Sequence, residues 1–133
     1  MNVSTIFMPR NPMLGAHGMN YAKKLVEQER AVVFVAKTDS KAIGYAIGRI
    51  LERPPIYSIG QIGDICDCYV KPRYRRHNIG KRLVKETLKW FRTQGVSYPG
   101  GQVDARNINS IRFWKHFGFN AYMLKMKMRL RGD

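Results

Sequence analysis

The stretch that decides the fold is Asp64-Ile-Cys-Asp-Cys-Tyr-Val70-Lys-Pro-Arg-Tyr-Arg75-Arg-His-Asn-Ile-Gly80, which runs without a break into a helical pattern. Ile62, Ile65, Cys66, Cys68 and Val70 make a largely apolar run of strand length, and past the turn Leu83, Val84, Leu88 and Phe91 recur at helical spacing. A strand that enters a helix through a basic turn presents unpaired backbone N–H groups and the positive end of the helix dipole to any anion there. The turn Arg75-Arg76-His77-Asn78-Ile79-Gly80 therefore reads as a phosphate seat.

Arg75-x-x-Asn78-x-Gly80 resembles the acetyl-CoA pyrophosphate loop of the GNAT superfamily of N-acetyltransferases, usually Gln/Arg-x-x-Gly-x-Gly/Ala. Further on, Asn107-Ile-Asn-Ser-Ile-Arg-Phe-Trp-Lys-His-Phe-Gly118-Phe119 is similar to the family's Asn-x-x-Ala-x-x-Phe-Tyr-x-x-x-Gly-Phe, at the right distance after the first helix. Either motif alone is weak; in order and correctly spaced they are strong. Two residues depart from the pattern. Asn78 stands where the family has glycine, and the position needs a residue that tolerates a left-handed backbone, which Asn does best among the non-glycines. Trp114 stands where the family often has a tyrosine proposed to protonate the leaving thiolate; an indole N–H donates a hydrogen bond but is no acid.

The resemblance implies an α/β (α+β) fold, a mixed, mostly antiparallel central sheet with helices on both faces, shortened at the N-terminus. It implies an acyl-CoA-dependent N-acyltransferase that moves an acetyl group directly from acetyl-CoA, its cosubstrate, to a primary amine. Carried over by register, the backbone N–H groups of Cys68 and Val70 meet the thioester and pantetheine, and Arg75, Arg76, Asn78, Ile79, Gly80 and Lys81 surround the pyrophosphate. Asn107 reaches the cofactor arm or else caps the second helix. Asp64 falls where several members place a general base. Asp67 competes for that role, although simple strand alternation turns it to the side opposite Asp64; either can equally be a solvated edge carboxylate.

Deprotonating a lysine-like amine at neutral pH costs roughly 4 kcal/mol, whereas a thiolate leaves at a cost of about 1–2 kcal/mol, so the base matters more than the acid. Trp114 reads as a core aromatic, and Tyr69, Tyr98 and Tyr122 remain as alternative acids among which the sequence does not choose.

Composition fits one domain spanning residues 1–133: 133 residues, 44% hydrophobic and 25% charged. No segment reaches membrane-span length, and the opening Met-Asn-Val-Ser-Thr-Ile-Phe-Met lacks the features of a signal peptide, so a cytoplasmic protein is expected. Cys66 and Cys68, one residue apart on a strand, are expected on the same face as small buried residues. They form no Cys-x-x-Cys pair, and His17, His77 and His116 have no partner at ligand spacing, so no metal is expected. Lys and Arg number 24 against 9 Asp and Glu, a net charge of +15. Part of the excess (Lys81, Arg82, Lys85, Lys89 and Arg92) falls on the outer side of the first helix; the rest favours polyanions such as coenzyme A, nucleic acid or a ribosome.

Along the chain, the patterns predict a helix over 16–29, strands over 31–36 and 42–51 joined by a turn, and an end to that hairpin at Arg53-Pro-Pro-Ile. A strand over 64–70, a helix over 80–94 capped by Gly95, a strand over 98–104 and a helix over 109–117 closed by Gly118 follow. In 119–130, Leu124, Met126, Met128 and Leu130 alternate with Lys125, Lys127 and Arg129, predicting a final strand with one buried face. The family generally opens with a strand and a helical pair; here residues 3–8 supply a short strand or the element is lost. A sheet edge bared by its loss would invite a homodimer. Two rival readings carry less: a basic nucleic-acid- or ribosome-binding module, which rests on charge alone, and a non-catalytic CoA-binding protein on the same fold.

Overall fold

The computed structural model describes residues 2–5, 30–51 and 61–132; the helix expected over 16–29 and the Pro-Pro turn at 54–55 lie outside them. Contacts divide the chain into two units, Met1–Gln102 and Val103–Asp133.

The first unit holds a five-stranded sheet in sequence order: β1 (Asn2–Thr5), β2 (Ala31–Thr38), β3 (Lys41–Leu51), β4 (Ile62–Val70) and β5 (Tyr98–Gly100). Neighbours are antiparallel up to β4, and β5 runs parallel to β4. β2 is apolar at every position from Ala31 to Ala36, and all six are buried, as befits a strand covered on both faces. Asp39 and Ser40, with φ of 47° and 66°, turn the chain from β2 into β3 in the two-residue left-handed form that matches strand twist. β1 pairs along β2 from Asn2↔Lys37 to Thr5↔Phe34, so the N-terminal strand is present and covers the edge on which a dimer was argued.

Helix α1 (Ile79–Thr93) packs one face of the sheet with Ile79, Leu83, Val84, Thr87 and Phe91, and its basic residues Arg82, Lys85, Lys89 and Arg92 stay exposed. Two glycines set how closely it sits. A Cβ at Gly48 would stand 2.8 Å from the Thr87 methyl group, and one at Gly63 2.8–2.9 Å from the Phe91 ring, so nothing larger than hydrogen fits. The helix ends in a Schellman motif: Gly95 takes φ 79°, its N–H bonds to Arg92 O at 3.2 Å, and the Val96 N–H bonds to Phe91 O at 2.9 Å.

β4 carries the feature that corrects two expectations. Ile47 pairs with Asp67 but Gly48 pairs with Ile65, leaving Cys66 as an extra residue, a β-bulge. Alternation therefore slips by one across it. Cys66 packs with Val33, Val35, Tyr45 and Ile47, whereas Cys68 packs on the other face with Val32, Phe34, Ala46 and Leu83. The two cysteines do not share a face. For the same reason Asp64 and Asp67 do share one: their carboxylates meet Arg49 and Tyr45, which lie four apart on the regular part of β3.

Two further strands depart from expectation. β5 stops at Gly100 instead of 104, because Pro99 has no N–H to give a ladder and Gly100-Gly101 add no side chain to pack. Residues 119–132 form neither helix nor strand, and Leu124, Met126, Met128 and Leu130 are 79–86% exposed. Alternation says which face a strand would bury but not what it would pair with, and the described residues of the second unit contain no other strand. That unit is built on helix α2 (Ile108–His116). Asn107 caps it by accepting the Ser110 N–H at 3.0 Å, and Gly118, φ 97°, closes it with bonds from Gly118 N to Lys115 O and from Phe119 N to Trp114 O.

Candidate active site

The site is assembled where β4 ends. Pro72–Tyr74 makes a single 3₁₀ turn, and then Arg76 and Asn78 both adopt positive φ, 67° and 63°, on either side of His77. Asn78 thus takes the left-handed conformation that its place in the motif demands. As the residue before α1 it is also an unusual cap, because in this conformation its side chain makes no capping bond. The helical ladder begins only at Arg82 N to Asn78 O, 3.1 Å. The N–H groups of Ile79, Gly80 and Lys81 consequently have no acceptor among the described residues, and the helix dipole adds to their pull on an anion. From Cys68 to Lys85 the chain has seven Lys or Arg and no acid.

Beside this turn, β4 has no strand partner on one side among the described residues. Pairing with β5 runs from Ile62↔Tyr98 to Asp64↔Gly100 and then stops, although Gly101 still lies close to β4, where a Cβ would stand 3.3 Å from Ile65 O. Lys71 N donates to Ile43 O at 2.8 Å, so alternation points the Tyr69 N–H toward β3 and those of Cys68 and Val70 away from it, to the side where β5 no longer pairs. Open edge and open helix terminus are thus joined by a few residues.

Asp64 sits at the last β4–β5 pair. Its Oδ2 accepts from Arg49 Nε at 3.0 Å and from the Cys66 thiol at 3.6 Å. Asp67 Oδ2 accepts from the Tyr45 hydroxyl at 2.7 Å, and burial, then that bond, push the Tyr45 phenol well above its usual range, so it stays protonated and donates. Burial, with the Asp67 charge second, pushes the Cys68 thiol up to about 12, which keeps it from being a nucleophile at neutral pH. Arg49 and Tyr45, which anchor both carboxylates, escape a reading of the sequence. Counting the antiparallel register back along β3 finds Arg49 opposite Asp64, but the bulge hides Tyr45 from the same count.

The other expected residues lie as follows. Arg75 Nε donates to Val70 O at 2.9 Å and its guanidinium lies 5.6 Å from the Tyr69 ring centroid. In the second unit, Asn107 is occupied as the helix cap, and Trp114 is half-buried among Phe113 and Phe119, with ring centroids 5.1 and 5.4 Å away. Among the described residues, no group of three or more His, Cys, Asp or Glu could hold a metal ion, and no helix is long and apolar enough to cross a membrane.

Comparison with known proteins identifies the architecture. The sequence profile of the acetyltransferase (GNAT) family matches residues 3–119. The chain belongs to this family. Its members are acyl-CoA-dependent N-acyltransferases, and both the pyrophosphate-loop and Asn…Gly-Phe motifs fall inside the match. A curated relative, an uncharacterized N-acetyltransferase of Archaeoglobus fulgidus, is 25% identical over 95 residues, 71% of this chain; the match spans 64% of that relative's length. Among solved structures, the aminoglycoside N-acetyltransferase AAC(6')-Iy in complex with CoA superposes with a TM-score of 0.78 at 17% identity, over 98% of this chain and 100% of that one. The aminoglycoside antibiotic 6'-N-acetyltransferase AAC(6')-IG from Acinetobacter haemolyticus, without ligand, gives 0.78 at 17% identity over the whole of both chains. At such identities the likeness is one of fold. It confirms the GNAT fold class expected from the sequence.

Proposed function

We propose that this GNAT protein is a single acetyl-CoA-binding domain that transfers an acetyl group from acetyl-CoA directly to a primary amine of a small molecule. The observation that carries the proposal is the junction of a β4 edge unpaired past Asp64 with a helix terminus whose first N–H groups lack acceptors, both among the described residues. Coenzyme A is a ligand of matching shape, a pantetheine arm that pairs like a strand followed by a pyrophosphate. Solved neighbours of the fold carry CoA or are named aminoglycoside acetyltransferases, which puts small cationic amines first among acceptors.

In this reading the Cys68 N–H faces the thioester and the Val70 N–H the pantetheine. Arg76, Asn78, Ile79, Gly80 and Lys81 hold the pyrophosphate. Asp64, held by Arg49 where β4–β5 pairing ends, takes the proton of the attacking amine, directly or through a water. The amine nitrogen bonds to the acetyl carbon, the C–S bond breaks, and the thiolate takes up a proton to leave as CoA. Direct transfer is favoured over an acyl-cysteine intermediate, since Cys68 keeps its proton and Cys66 donates to a carboxylate. Asn107 is assigned to the fold of α2.

The test is a thermal melt with millimolar acetyl-CoA followed by thiol release across aminoglycosides, polyamines, amino acids and protein N-termini. At a hundredfold excess over the dissociation constant acetyl-CoA should stabilise the fold by roughly 2.7 kcal/mol. An unchanged melting temperature together with no acceptor-dependent thiol release overturns the assignment.

A further inference from the structure

The sequence treats Arg75 and Arg76 alike, as two cations in a phosphate turn, but the structure gives them different surroundings. Arg75 turns back on the strand it follows. Its Nε closes a ring with the carbonyl of Val70, the last residue of β4, at 2.9 Å, around a 3₁₀ turn itself fixed by Tyr74 N to Lys71 O at 2.9 Å. Its guanidinium carbon lies over the Tyr69 ring, 5.6 Å from the centroid; that ring is 6.0 Å from the ring of Tyr45, and Tyr45 is tied through its hydroxyl to Asp67. Arg76 makes no bond to any described residue and sits in the left-handed conformation. One arginine is engaged with the scaffold, and its neighbour is available to an anion.

We infer that Arg75 is a positioning residue: it clasps the end of β4 to the phosphate turn, so that the strand edge and the turn keep a fixed spacing. The inference rests on the proposed function for its ligand. A cofactor that spans both features binds well only if their separation matches its own, and without the clasp that separation would have to be set on binding. The chemistry is specific to arginine. A guanidinium can donate through Nε while its charged carbon sits over an aromatic ring, whereas an ammonium is a compact, strongly hydrated point charge that cannot hold both contacts at once. Lysine at 75 should therefore fail as a clasp even though it would serve as a phosphate ligand.

The experiment compares wild type, Arg75→Lys, Arg76→Lys and Tyr69→Leu by titration with two probes, CoA and S-acetylpantetheine, which lacks the phosphates. Backbone amide exchange over residues 71–80 is followed in the ligand-free proteins. Arg75→Lys should weaken CoA roughly fivefold, the size of one exposed charge-assisted contact, leave acetylpantetheine, which does not reach the turn, near its wild-type affinity, and speed exchange in the turn. Tyr69→Leu should do the same, and the double variant should be no worse than either single one. Arg76→Lys should leave acetylpantetheine affinity and exchange at wild-type values. Arg75→Lys that weakens CoA but leaves exchange unchanged overturns the clasp and makes Arg75 a phosphate ligand; wild-type values for both probes and exchange also overturn it. If wild type binds neither probe, the proposed function falls, and the exchange arm still decides the clasp: faster exchange upholds it, unchanged exchange overturns it.

Discussion

From Ile62 to Asp64, β4 is paired on both sides and Gly63 is pressed against the Phe91 ring; from Cys66 to Val70, among the described residues, it is paired to β3 alone, and its other edge ends at a helix terminus with unmet N–H groups. Both halves are short, similarly apolar, and belong to one strand. They differ in where their backbone groups find partners. In the closed half the protein supplies them, and the return is stability. In the open half they are left to water or a ligand, and in the proposed function the return is binding. Substitutions in the two halves should therefore separate cleanly into those that change folding and those that change ligand affinity or rate.

The largest expected effect lies behind the closed half. Phe91→Ala removes the ring against which Gly63 and Gly48 pack, and should cost about 3–5 kcal/mol of stability in urea denaturation. CoA affinity of the remaining folded protein should be nearly unchanged; a large loss of affinity would mean that the halves are not separable. The mirror experiment is Gly80→Asp, which places a carboxylate among the open N–H groups of α1. It should abolish stabilisation by acetyl-CoA, a loss of roughly 2.7 kcal/mol at a hundredfold excess, with the ligand-free melting temperature within a degree or two of wild type.

Asp64 sits on the boundary, so its replacement sharpens the comparison. Asp64→Asn should lower turnover by about 10²-fold, with CoA affinity retained and the deficit shrinking at high pH, where the amine is already neutral. Full activity at neutral pH would move the base to Asp67, which the bulge brings to the same face. Smaller again is Arg76→Gly. It relieves a left-handed arginine and should stabilise the ligand-free fold by about 0.5–1 kcal/mol while weakening CoA binding, so that stability and affinity move in opposite directions.

The last expected effect is a pH dependence in the open half, read as a slope. The folded Cys68 thiol holds its proton to about 12, whereas the unfolded thiol releases it near 8.5. The folded state binds more protons in between, so stability should fall as pH rises through that window, by at most about 1 kcal/mol per pH unit after allowance for partial exposure. Cys68→Ala should flatten the slope above pH 9 in a urea series and leave turnover at neutral pH within twofold. A strong loss of turnover would speak for an acyl-cysteine step.

Much of the closed half, the turn and both helices were legible in the sequence because each is governed by local rules. The apolar run of 31–36, the 3.6-residue stripe of α1, the glycines ending both helices and the left-handed Asn78 depend on residues close by in the chain. Cys66 against Cys68 and Asp64 against Asp67 were misread because a bulge has no signature in its own residues; it exists only relative to β3. The segment 119–130 failed for a related reason. Its alternation of Leu124, Met126, Met128 and Leu130 is as regular as any in the chain, yet pairing requires a neighbour that the pattern does not name. For the candidate site, the motif pointed to the phosphate turn, but the Arg49 and Tyr45 anchors of the two carboxylates come from another strand.

The extra residue in β4 also limits how the chain can change. A strand is a code of period two, and one inserted letter inverts the reading of everything before it. Exchanging Cys66 for another small residue leaves the phase intact, but deleting it would turn Asp64 inward toward Thr87 and Phe91 and bring Gly63 to the surface, moving a carboxylate into oil and a bare backbone into water. Length at this point should accordingly be under tighter constraint than identity.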